Sequence, residues 1–460
     1  MMHLLSTEPS DLKGYLTLLG GFTMHLACGA LYMWGTLNVY ITSYFRLVDD
    51  PTLSIETGAS IFPVMMCCVA TGMPLGVRAV KRFRSARLYC YCAGAAATFC
   101  IYISSFVLSF YQFILIYGIM FGIITGTMYY IPIYMGSLYF PKKKGLVSGI
   151  ILMGYGLCSL IFGLTFFSLV NPNNMKPIYD EEHINKYFYG ESEEVARNVP
   201  KVLRKLCQYY ILLFMVAYNQ SQSKYQKEIS ASTTTGGLVP AKKKDDHDNH
   251  HYPLPCPRPK IAVKTQQFYV SLLVGILSLG LGLLVNGNYK TIGKKATSDD
   301  SFLTICGAFA SIANGVSRPL WSSLLDKYSF RNIFSKLLIF EIILAFIYRL
   351  AFIHKFIYLV WVFACHTAFG GIMAMFPVLA GQLFGTKVSS LLYGVYWYGF
   401  GISNFIQFLM VYNLSKKYSF ELIVYIDGIF ALLCLGIIRF YNLKTDWSKY
   451  YNQAGELIKK

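Results

Sequence analysis

The stretch NGVSRPLWSSLLDK, residues 314–327, places a permanent cation inside an otherwise apolar segment. Arg318 lies eight residues before Asp326, which marks the end of that segment. In a helix this spacing predicts a depth of roughly 12 Å, close to the middle of a ~30 Å hydrocarbon core. A charge at that depth faces the interior of a helix bundle and by default marks a substrate pathway. We therefore expect Arg318 to bind substrate; the alternative is a structural ion pair with Glu341 of the ninth apolar segment.

The neighbours of Arg318 are predicted to make its surroundings polar. Asn314 lies one helical turn away on the same face of the helix. Pro319 has no N–H, so the carbonyl group of Gly315 lacks its helical partner. Both features favour a polar cavity at this level of the segment.

The composition of the chain is that of a membrane protein. Of its 460 residues, 55% are hydrophobic and 14% are charged, whereas a soluble domain carries about 25% charged residues. The apolar residues form blocks of roughly 20, long enough to cross a bilayer as helices. The net charge of +18 comes mainly from basic residues in short loops, which orient a membrane protein. We therefore predict a lipid bilayer as a partner and no nucleic acid.

The apolar blocks number twelve and fall into two sets of six. The first set lies near 14–44, 57–79, 88–109, 111–138, 145–170 and 203–219, and the second near 267–287, 302–324, 333–353, 356–382, 388–412 and 420–440. The predicted fold class is an all-α membrane protein with twelve transmembrane helices in two pseudo-symmetric six-helix halves. The predicted units are an N-terminal half, a flexible cytoplasmic linker, a C-terminal half and a cytoplasmic tail, at 1–219, 220–265, 266–440 and 441–460.

The charges of the loops predict the orientation of the helices. Basic residues cluster after the second segment, at 78–87, and after the fourth, at 142–144, whereas the loop at 171–202 is acidic. Because basic loops stay in the cytoplasm, both termini are expected there. No transit peptide is visible, so we predict a multi-pass, monomeric protein of the plasma membrane rather than of an organelle.

No motif in the chain indicates an enzyme or an ATP-driven pump. Dinucleotide-binding, Walker and triad patterns do not occur in a suitable context. The histidines of the linker fit no zinc spacing, so we predict no metal and no cofactor. His25, His366 and Glu341 are candidates for carrying a coupling proton, because imidazole titrates near neutral pH and buried ionisable groups in membranes are often functional. The alternative for each lone buried histidine is a structural hydrogen bond.

The loop after the eighth segment, SSLLDKYSFR, resembles the loop signature of the major facilitator superfamily. That signature has a glycine followed four residues later by aspartate, a basic residue and further basic residues. Asp326, Lys327 and Arg331 match it, and Ser322 replaces the glycine. The resemblance implies that these three residues form a conformational latch. The equivalent loop after the second segment, GVRAVKRFR, has Val80 where aspartate is expected.

Three further stretches are similar to the oxalate/formate antiporter family and the related monocarboxylate transporters. They are GALYMWGTLNVY in the first segment, LYFPKKKGLVSGIILMGYGLCSLIFG across the fourth and fifth, and FGTKVSSLLYGVYWYGFG before and within the eleventh. The resemblance implies that Arg318 binds the carboxylate of the substrate. It also implies that Tyr32, Tyr129 and Tyr155 line the pocket.

Three positions depart from these families. Phe400 stands where oxalate carriers have a lysine, Thr36 where monocarboxylate transporters can have one, and Asn314 where the latter have an aspartate. One cation in the cavity suits one carboxylate, since a second would stay unpaired at a cost of several kcal/mol. Asn314 cannot take up a proton, so a coupling proton must bind elsewhere.

The predicted function is a secondary carrier of a small monocarboxylate such as pyruvate or lactate. It would work by alternating access, as a proton symporter or an anion exchanger. One alternative is a carrier of a larger carboxylate or nutrient such as pantothenate, for which Phe400 could leave room. Another is a receptor or assembly subunit that keeps the fold but does not transport, which Val80 favours and Arg318 disfavours.

Overall fold

The structure is a computed structural model that describes residues 12–83, 85–179, 186–220, 255–441 and 443–451. Within these residues the chain forms twelve long helices, as the sequence predicts. The first six are α1 (Leu12–Val48), α2 (Ile55–Ala79), α3 (Ala86–Ser104), α4 (Phe110–Tyr139), α5 (Lys144–Val170) and α6 (Val199–Gln220). The second six are α7 (Gln266–Gly293), α8 (Asp300–Leu324), α9 (Phe330–Phe346), α10 (Lys355–Phe384), α11 (386–418) and α12 (420–440).

The last two helices are separated by a single residue. Helical backbone runs over Thr386–Phe440, but Ser419 has φ 66° and ψ 165°, which divides it into α11 and α12. A serine in this region of backbone space is unusual, because side chains with a Cβ rarely adopt a positive φ.

Short elements occupy the connections. β1 (Ile178–Tyr179) pairs antiparallel with β2 (Lys186–Tyr187) between α5 and α6. Directly after β2, the Phe188 N–H donates to Ser43 Oγ at 2.9 Å, which fixes this hairpin against the end of α1. The remaining short helices are Glu193–Arg197 and Pro259–Ala262, and the single turns are Val80–Arg82, Gly190–Ser192, Tyr348–Phe352 and Ser448–Tyr450.

Three long helices are interrupted well inside their length, besides the turn at Ser60 near the start of α2. α1 tightens to a 3-10 helix over Gly29–Met33, α4 widens to a π-helix over Ile114–Met120 and breaks at Tyr130, and α7 breaks between its segments Gln266–Leu277 and Gly280–Gly293. Irregular backbone at membrane depth is tolerated only where it is buried in protein or lines a cavity. The interruptions at Gly29–Met33, at Tyr130 and between Leu277 and Gly280 are buried and face the interior of the bundle, whereas the π-helical stretch of α4 exposes Leu115 and Met120 on the outside.

Eight of the helices are long and apolar enough to cross a membrane by length and composition. The other four are α6, α8, α9 and α11; α9 has 17 residues, and α8 carries the polar residues around Arg318. Large apolar side chains such as Leu320, Val360 and Phe405 are exposed on the outside of the bundle. Exposed apolar surface of this kind is what a lipid bilayer covers.

The two sets of six helices meet along α5 and α8. An ideal Cβ on Gly149 would lie 2.4 Å from the Cα of Pro319, and one on Gly156 would lie 2.7 Å from the Cα of Gly315. No side chain fits into either space, so the two backbones are in direct contact. Small residues at such positions are the usual means of close helix packing in membranes.

Residues 255–265 and 443–451 pack together at one end of the bundle, which we call the linker face. The N–H of Cys256 and the indole N–H of Trp447 donate to the last carbonyl groups of α10, at 3.2 and 2.9 Å. Both side chains are buried. These contacts hold the approach to α7 and the exit from α12 against the same helix.

The structure differs here from the predicted flexible linker, 220–265. In its last part, 255–265, the side chain of Cys256 is buried and its N–H bonds to the end of α10. The rest of that predicted segment, 221–254, and the end of the predicted tail, 452–460, lie outside the described residues.

Candidate functional site

Arg318 lies on α8 with its side chain fully buried. Its Nε and Nη2 atoms donate to Oδ1 of Asn314 at 3.2 and 3.0 Å. Nη1 has no hydrogen-bond partner among the described residues, and none of the ion pairs found there involves Arg318. A buried guanidinium whose protein partner is a neutral amide keeps an uncompensated positive charge. That charge is available to an anion.

Three tyrosines from the first six helices surround the guanidinium. Its Cζ lies 5.8 Å from the ring centroid of Tyr32 and 6.0 Å from that of Tyr155. The rings of Tyr129 and Tyr155 are 5.2 Å apart. Tyr32 comes from the 3-10 segment of α1, Tyr129 from the residue before the break in α4, and Tyr155 from the middle of α5. Helix interruptions therefore position Tyr32 and Tyr129 beside Arg318, whereas Tyr155 reaches it from a continuous helix.

Two aromatic residues of α11 complete the enclosure, and neither is among the site residues predicted from the sequence. The ring of Trp397 lies 5.0 Å from that of Tyr129, and the ring of Tyr393 lies 6.1 Å from it. Phe369 of α10 approaches Tyr32 at 6.0 Å. The signal was present in YGVYW, residues 393–397, because its first and last residues share one helix face at a spacing of four.

The enclosure presents hydrogen-bond donors that have no acceptor. Six of the buried groups without a hydrogen bond of good geometry in the described part of the chain lie here: Arg318 Nη1, the hydroxyls of Tyr32, Tyr129, Tyr155 and Tyr393, and Nε1 of Trp397. Tyr32 lies near enough to Arg318, and Tyr393 to Tyr129 and Trp397, for weaker polar contacts. Each unsatisfied buried group of this kind costs about 1–3 kcal/mol. A small anion can accept from several of them at once while the rings cover its apolar part. The chemistry of the cluster therefore fits a small carboxylate.

This site is closed to solvent on all sides. Arg318, Tyr129 and Tyr155 are each 0% exposed. An open groove of about 620 Å³ lies instead at the linker face, between residues 261–267 and 444–450. The groove shares no residue with the cluster around Arg318.

The two predicted histidines lie in different places. His25 Nδ1 is 2.9 Å from the carbonyl oxygen of Gly21, and its ring lies 5.0 Å from that of Tyr129, at the margin of the site. His366 Nδ1 is 2.9 Å from the carbonyl oxygen of Val362. Both nitrogens therefore make the structural bond to the preceding helical turn. Only His25 borders the cluster.

Thr36 and Phe400, which replace the family lysines, lie behind the rings that face Arg318. Thr36 is half-buried one turn beyond Tyr32, close to Gly163 of α5. Phe400 packs edge-on against Phe376 at 5.2 Å and lies 5.9 Å from Trp397. Phe400 therefore fills space in a second aromatic layer.

Glu341 does not pair with Arg318, so the structural alternative derived from the sequence is wrong. Its carboxyl group is buried on α9 and interacts electrostatically with Asp427 of α12. Arg318 is instead held by Asn314, its neighbour on α8. Asn314, on the same helix as Arg318, bonds to the guanidinium, whereas the side chain of Glu341 lies near Asp427 of α12.

The predicted latch lies where α8 ends. Asp326 accepts from two N–H groups at the start of α5, those of Gly145 at 2.7 Å and Leu146 at 2.9 Å. A carboxylate at a helix N-terminus is stabilised by the free N–H groups and the helix dipole. Burial raises the pKa of the Asp326 carboxyl, partly offset by these two bonds and by Lys143. The ionised form is therefore lost at a higher pH than in an exposed aspartate.

The other two predicted latch residues do not contact Asp326. Arg331 donates to the carbonyl oxygen of Tyr441, beyond α12. Lys327 is exposed. Asp326 alone among the three joins α8 to α5 in the structure.

Comparison with known proteins finds one curated relative and many solved structures. No family model matches the chain. The apicoplast pyruvate carrier 1 of Toxoplasma gondii is 24% identical over a 442-residue alignment, which covers 83% of this chain and 80% of the carrier.

The solved structures share the arrangement of the helices. The proton:xylose symporter XylE, bound to 6-bromo-6-deoxy-D-glucose, matches with a TM-score of 0.61 and 12% identity over 93% of this chain and 97% of its own. The transporter FucP in its outward conformation matches with a TM-score of 0.56 and 12% identity, over 91% of this chain and 98% of FucP. The chain has the major facilitator fold.

The predicted fold class and the resemblance to this superfamily are thereby confirmed. The chain is a multi-pass membrane protein whose relatives and structural neighbours are transporters and not enzymes. The pyruvate carrier is consistent with the monocarboxylate transporters that the motifs resemble.

Proposed function

We propose that this major facilitator protein is a secondary carrier of a small monocarboxylate. The expected substrate has the size and the single negative charge of pyruvate or lactate. The observation that carries the proposal is the buried cluster around Arg318. It contains a cation without a carboxylate partner and several donors without an acceptor. The likeness to a protein named as a pyruvate carrier supports the same substrate class. Arg318 would bind the carboxylate, and Asn314 would hold the guanidinium in its orientation.

The number of charges in the site supports a substrate with one carboxylate. Arg318 is the only Lys or Arg found to approach the rings of Tyr32 and Tyr155 in the described part of the chain. A dicarboxylate would leave its second negative charge unpaired among aromatic rings. The low-dielectric interior makes such a charge unfavourable by several kcal/mol. Phe400 and Thr36 supply no second cation at the positions where related carriers can have one.

The closed position of the site supports transport by alternating access. Substrate cannot enter or leave a cluster that is 0% exposed at Arg318 unless the helices around it move. In this mechanism the two halves, which we take as 1–219 and 266–440, rock against each other and expose the site to one side at a time.

Uptake of labelled pyruvate into proteoliposomes tests the proposal. Arg318→Ala is expected to reduce uptake by about 100-fold, since losing one partner of a buried charge-assisted bond costs about 3 kcal/mol. Arg349→Ala is the matched control, because that arginine is exposed and pairs with Glu421, and its uptake should match the wild type. Equal uptake by the Arg318→Ala variant and the wild type, for every carboxylate tried, would contradict the proposal.

Competition separates the small-substrate proposal from its two alternatives. Unlabelled pyruvate and lactate should block uptake, whereas pantothenate should not, because the rings around Arg318, with Phe400 packed behind Trp397, enclose the site. A receptor that does not transport would show thermal stabilisation by carboxylates without uptake.

The likeness to an apicoplast carrier bears on which membrane holds the protein. The sequence-based expectation is the plasma membrane, whereas the relative is named for an organelle. We propose an organelle membrane on that likeness. A fluorescently tagged copy co-localising with a surface marker would contradict it.

A further inference from the structure

A second buried polar cluster lies among the last six helices, away from Arg318. Glu341 of α9 and Asp427 of α12 are both 2% exposed and interact electrostatically. Gln407 of α11, 4% exposed, donates from Nε2 to Asp427 Oδ1 at 2.6 Å. α7 resumes at Gly280 directly beside them, where an ideal Cβ would lie 2.2 Å from Asp427 Oδ1. The pair thus sits at the break in α7.

This cluster lacks donors, whereas the cluster around Arg318 lacks acceptors. Glu341 Oε2, Asp427 Oδ2 and Gln407 Oε1 are buried oxygens without a partner among the residues that the structure describes. No described ion pair reaches either carboxyl group. The other titratable groups that interact with Glu341 are the thiols of Cys365 on α10 and Cys434 on α12. Two neutral buried donors close in sequence to residues that contact the pair, Ser278 Oγ at the break in α7 and Asn404 Nδ2 one turn before Gln407, make no hydrogen bond to it. The pair therefore lacks both a bonded donor and a compensating positive charge.

A proton supplies what the cluster lacks. Two ionised carboxylates close together without a cation would be strongly unfavourable in a low-dielectric interior. A proton on one of them removes a charge and gives an O–H group that can donate to the other carboxylate or to Gln407 Oε1. Paired carboxyl groups of this kind titrate as a unit, so the proton belongs to the pair.

We propose that Glu341 and Asp427 form a proton-binding site that couples proton movement to carboxylate transport. The inference rests on the proposed function and names its coupling ion. A proton leaves water on one side, forms an O–H bond with a carboxylate oxygen of the pair, and returns to water on the other side when that bond breaks. The histidines His25 and His366 are then not required as carriers.

Shared helices connect the proton site to the substrate site. α11 carries Trp397 at the substrate site and Gln407 at the pair, ten residues apart or about 15 Å along the helix. α7 passes the pair at Gly280, and its Gly282 packs on Phe369, whose ring contacts Tyr32. A movement of α7 or α11 therefore reaches both sites.

Transport driven by a pH gradient tests the coupling. Glu341→Gln and Asp427→Asn imitate the protonated carboxyl groups, so both should retain exchange of labelled for unlabelled pyruvate. In both variants the accumulation of pyruvate driven by an acidic exterior should fall by about tenfold or more. A tenfold fall corresponds to the loss of about 1.4 kcal/mol of driving force. Glu421→Gln is the control, because this acid lies on α12 with Asp427 but pairs with Arg349 at the surface.

Three outcomes of that assay overturn the inference. They are accumulation by both variants at the wild-type level, loss of exchange together with accumulation, and accumulation by the wild type in a sodium gradient at constant pH. If the wild type moves no carboxylate at all, the proposed function fails as well.

Infrared spectroscopy of the purified protein tests the proton site without transport. The wild type at pH 7 should show the carbonyl stretch of a buried protonated carboxyl group, and the double variant Glu341→Gln with Asp427→Asn should remove it. The Glu421→Gln variant should keep the band. A band that survives in the double variant, or is absent from the wild type, overturns the proton site whatever the substrate is.

Discussion

At the scale of single residues, the polar groups of this protein are arranged in two incomplete sets. The cluster around Arg318 offers buried donors without acceptors, and the cluster around Glu341 and Asp427 offers acceptors without donors. Buried polar groups are satisfied almost everywhere in proteins, so two groupings of unsatisfied groups, six around Arg318 and three around Asp427, call for a functional explanation. An anion completes the first set and a proton completes the second.

Removal of a single tyrosine hydroxyl should affect stability and substrate affinity in opposite directions. Tyr155→Phe removes a buried hydroxyl without a partner. It is therefore expected to stabilise the substrate-free protein by about 1 kcal/mol and to weaken pyruvate binding by about fivefold. Thermal unfolding in detergent, with and without pyruvate, measures both effects.

Tyr396→Phe is the matched control for that experiment. The Tyr396 hydroxyl is also buried but is bonded to Ser271 Oγ at 2.6 Å. Its loss should destabilise the protein by about 1 kcal/mol, without changing pyruvate affinity. If Tyr155→Phe lowers the unfolding temperature as Tyr396→Phe does, the Tyr155 hydroxyl already has a partner, and the donor cluster is not as described.

The sequence predicts the residues of the site unevenly. Arg318 is evident because a charge in an apolar segment is rare, and Asn314 follows from helical spacing. Tyr32, Tyr129 and Tyr155 depend on the family resemblance, since they are three of 36 tyrosines. The spacing of Tyr393 and Trp397 places them on one helix face, but which helix they face, like the partnership of Asp427 with Glu341, depends on contacts between distant helices.

At the scale of helices, the contact between α5 and α8 controls whether the site is closed. Gly149→Val would place side-chain atoms where Pro319 already lies, with an ideal Cβ 2.4 Å from the proline Cα. The helices cannot close around such a group without a cost of about 1–3 kcal/mol. Pyruvate uptake is therefore expected to fall by about 10- to 100-fold.

Gly163→Val on the same helix provides the control for this experiment. The nearest atom to an ideal Cβ there is Thr36 Oγ1, at 4.0 Å, so the larger side chain has room. Its uptake should stay close to that of the wild type. Equal uptake by the two variants would show that close contact of α5 with α8 at Gly149 is not needed for transport.

Sequence periodicity predicts where the helices lie but not where they break. The predicted segments 14–44 and 267–287 correspond to α1 and α7, within several residues at most ends. Both helices nevertheless have an interruption, at Gly29–Met33 and between Leu277 and Gly280. Glycine occurs throughout the apolar segments, so its presence alone does not locate a break. Packing against other helices decides which glycine positions interrupt a helix.

At the scale of the whole molecule, the halves touch on both sides of Arg318. On the latch side, Asp326 bonds to the start of α5. On the other side, Ser159 of α5 and Ser311 of α8 approach within 2.7 Å between hydroxyl oxygens. The structure therefore shows a closed state, from which alternating access requires one of these contacts to separate at a time.

A cysteine pair at 159 and 311 tests that requirement directly. The two hydroxyls are 2.7 Å apart, so Ser159→Cys together with Ser311→Cys should form a disulfide, which needs Cβ atoms about 4 Å apart. Oxidation should reduce pyruvate uptake by about tenfold or more, because the side away from the latch can no longer open, and reduction should restore it. Each single cysteine variant controls for the twelve native cysteines. Full transport by the cross-linked protein would mean that α5 and α8 stay together on this side throughout the cycle, and rocking of the halves about Arg318 would then be the wrong mechanism.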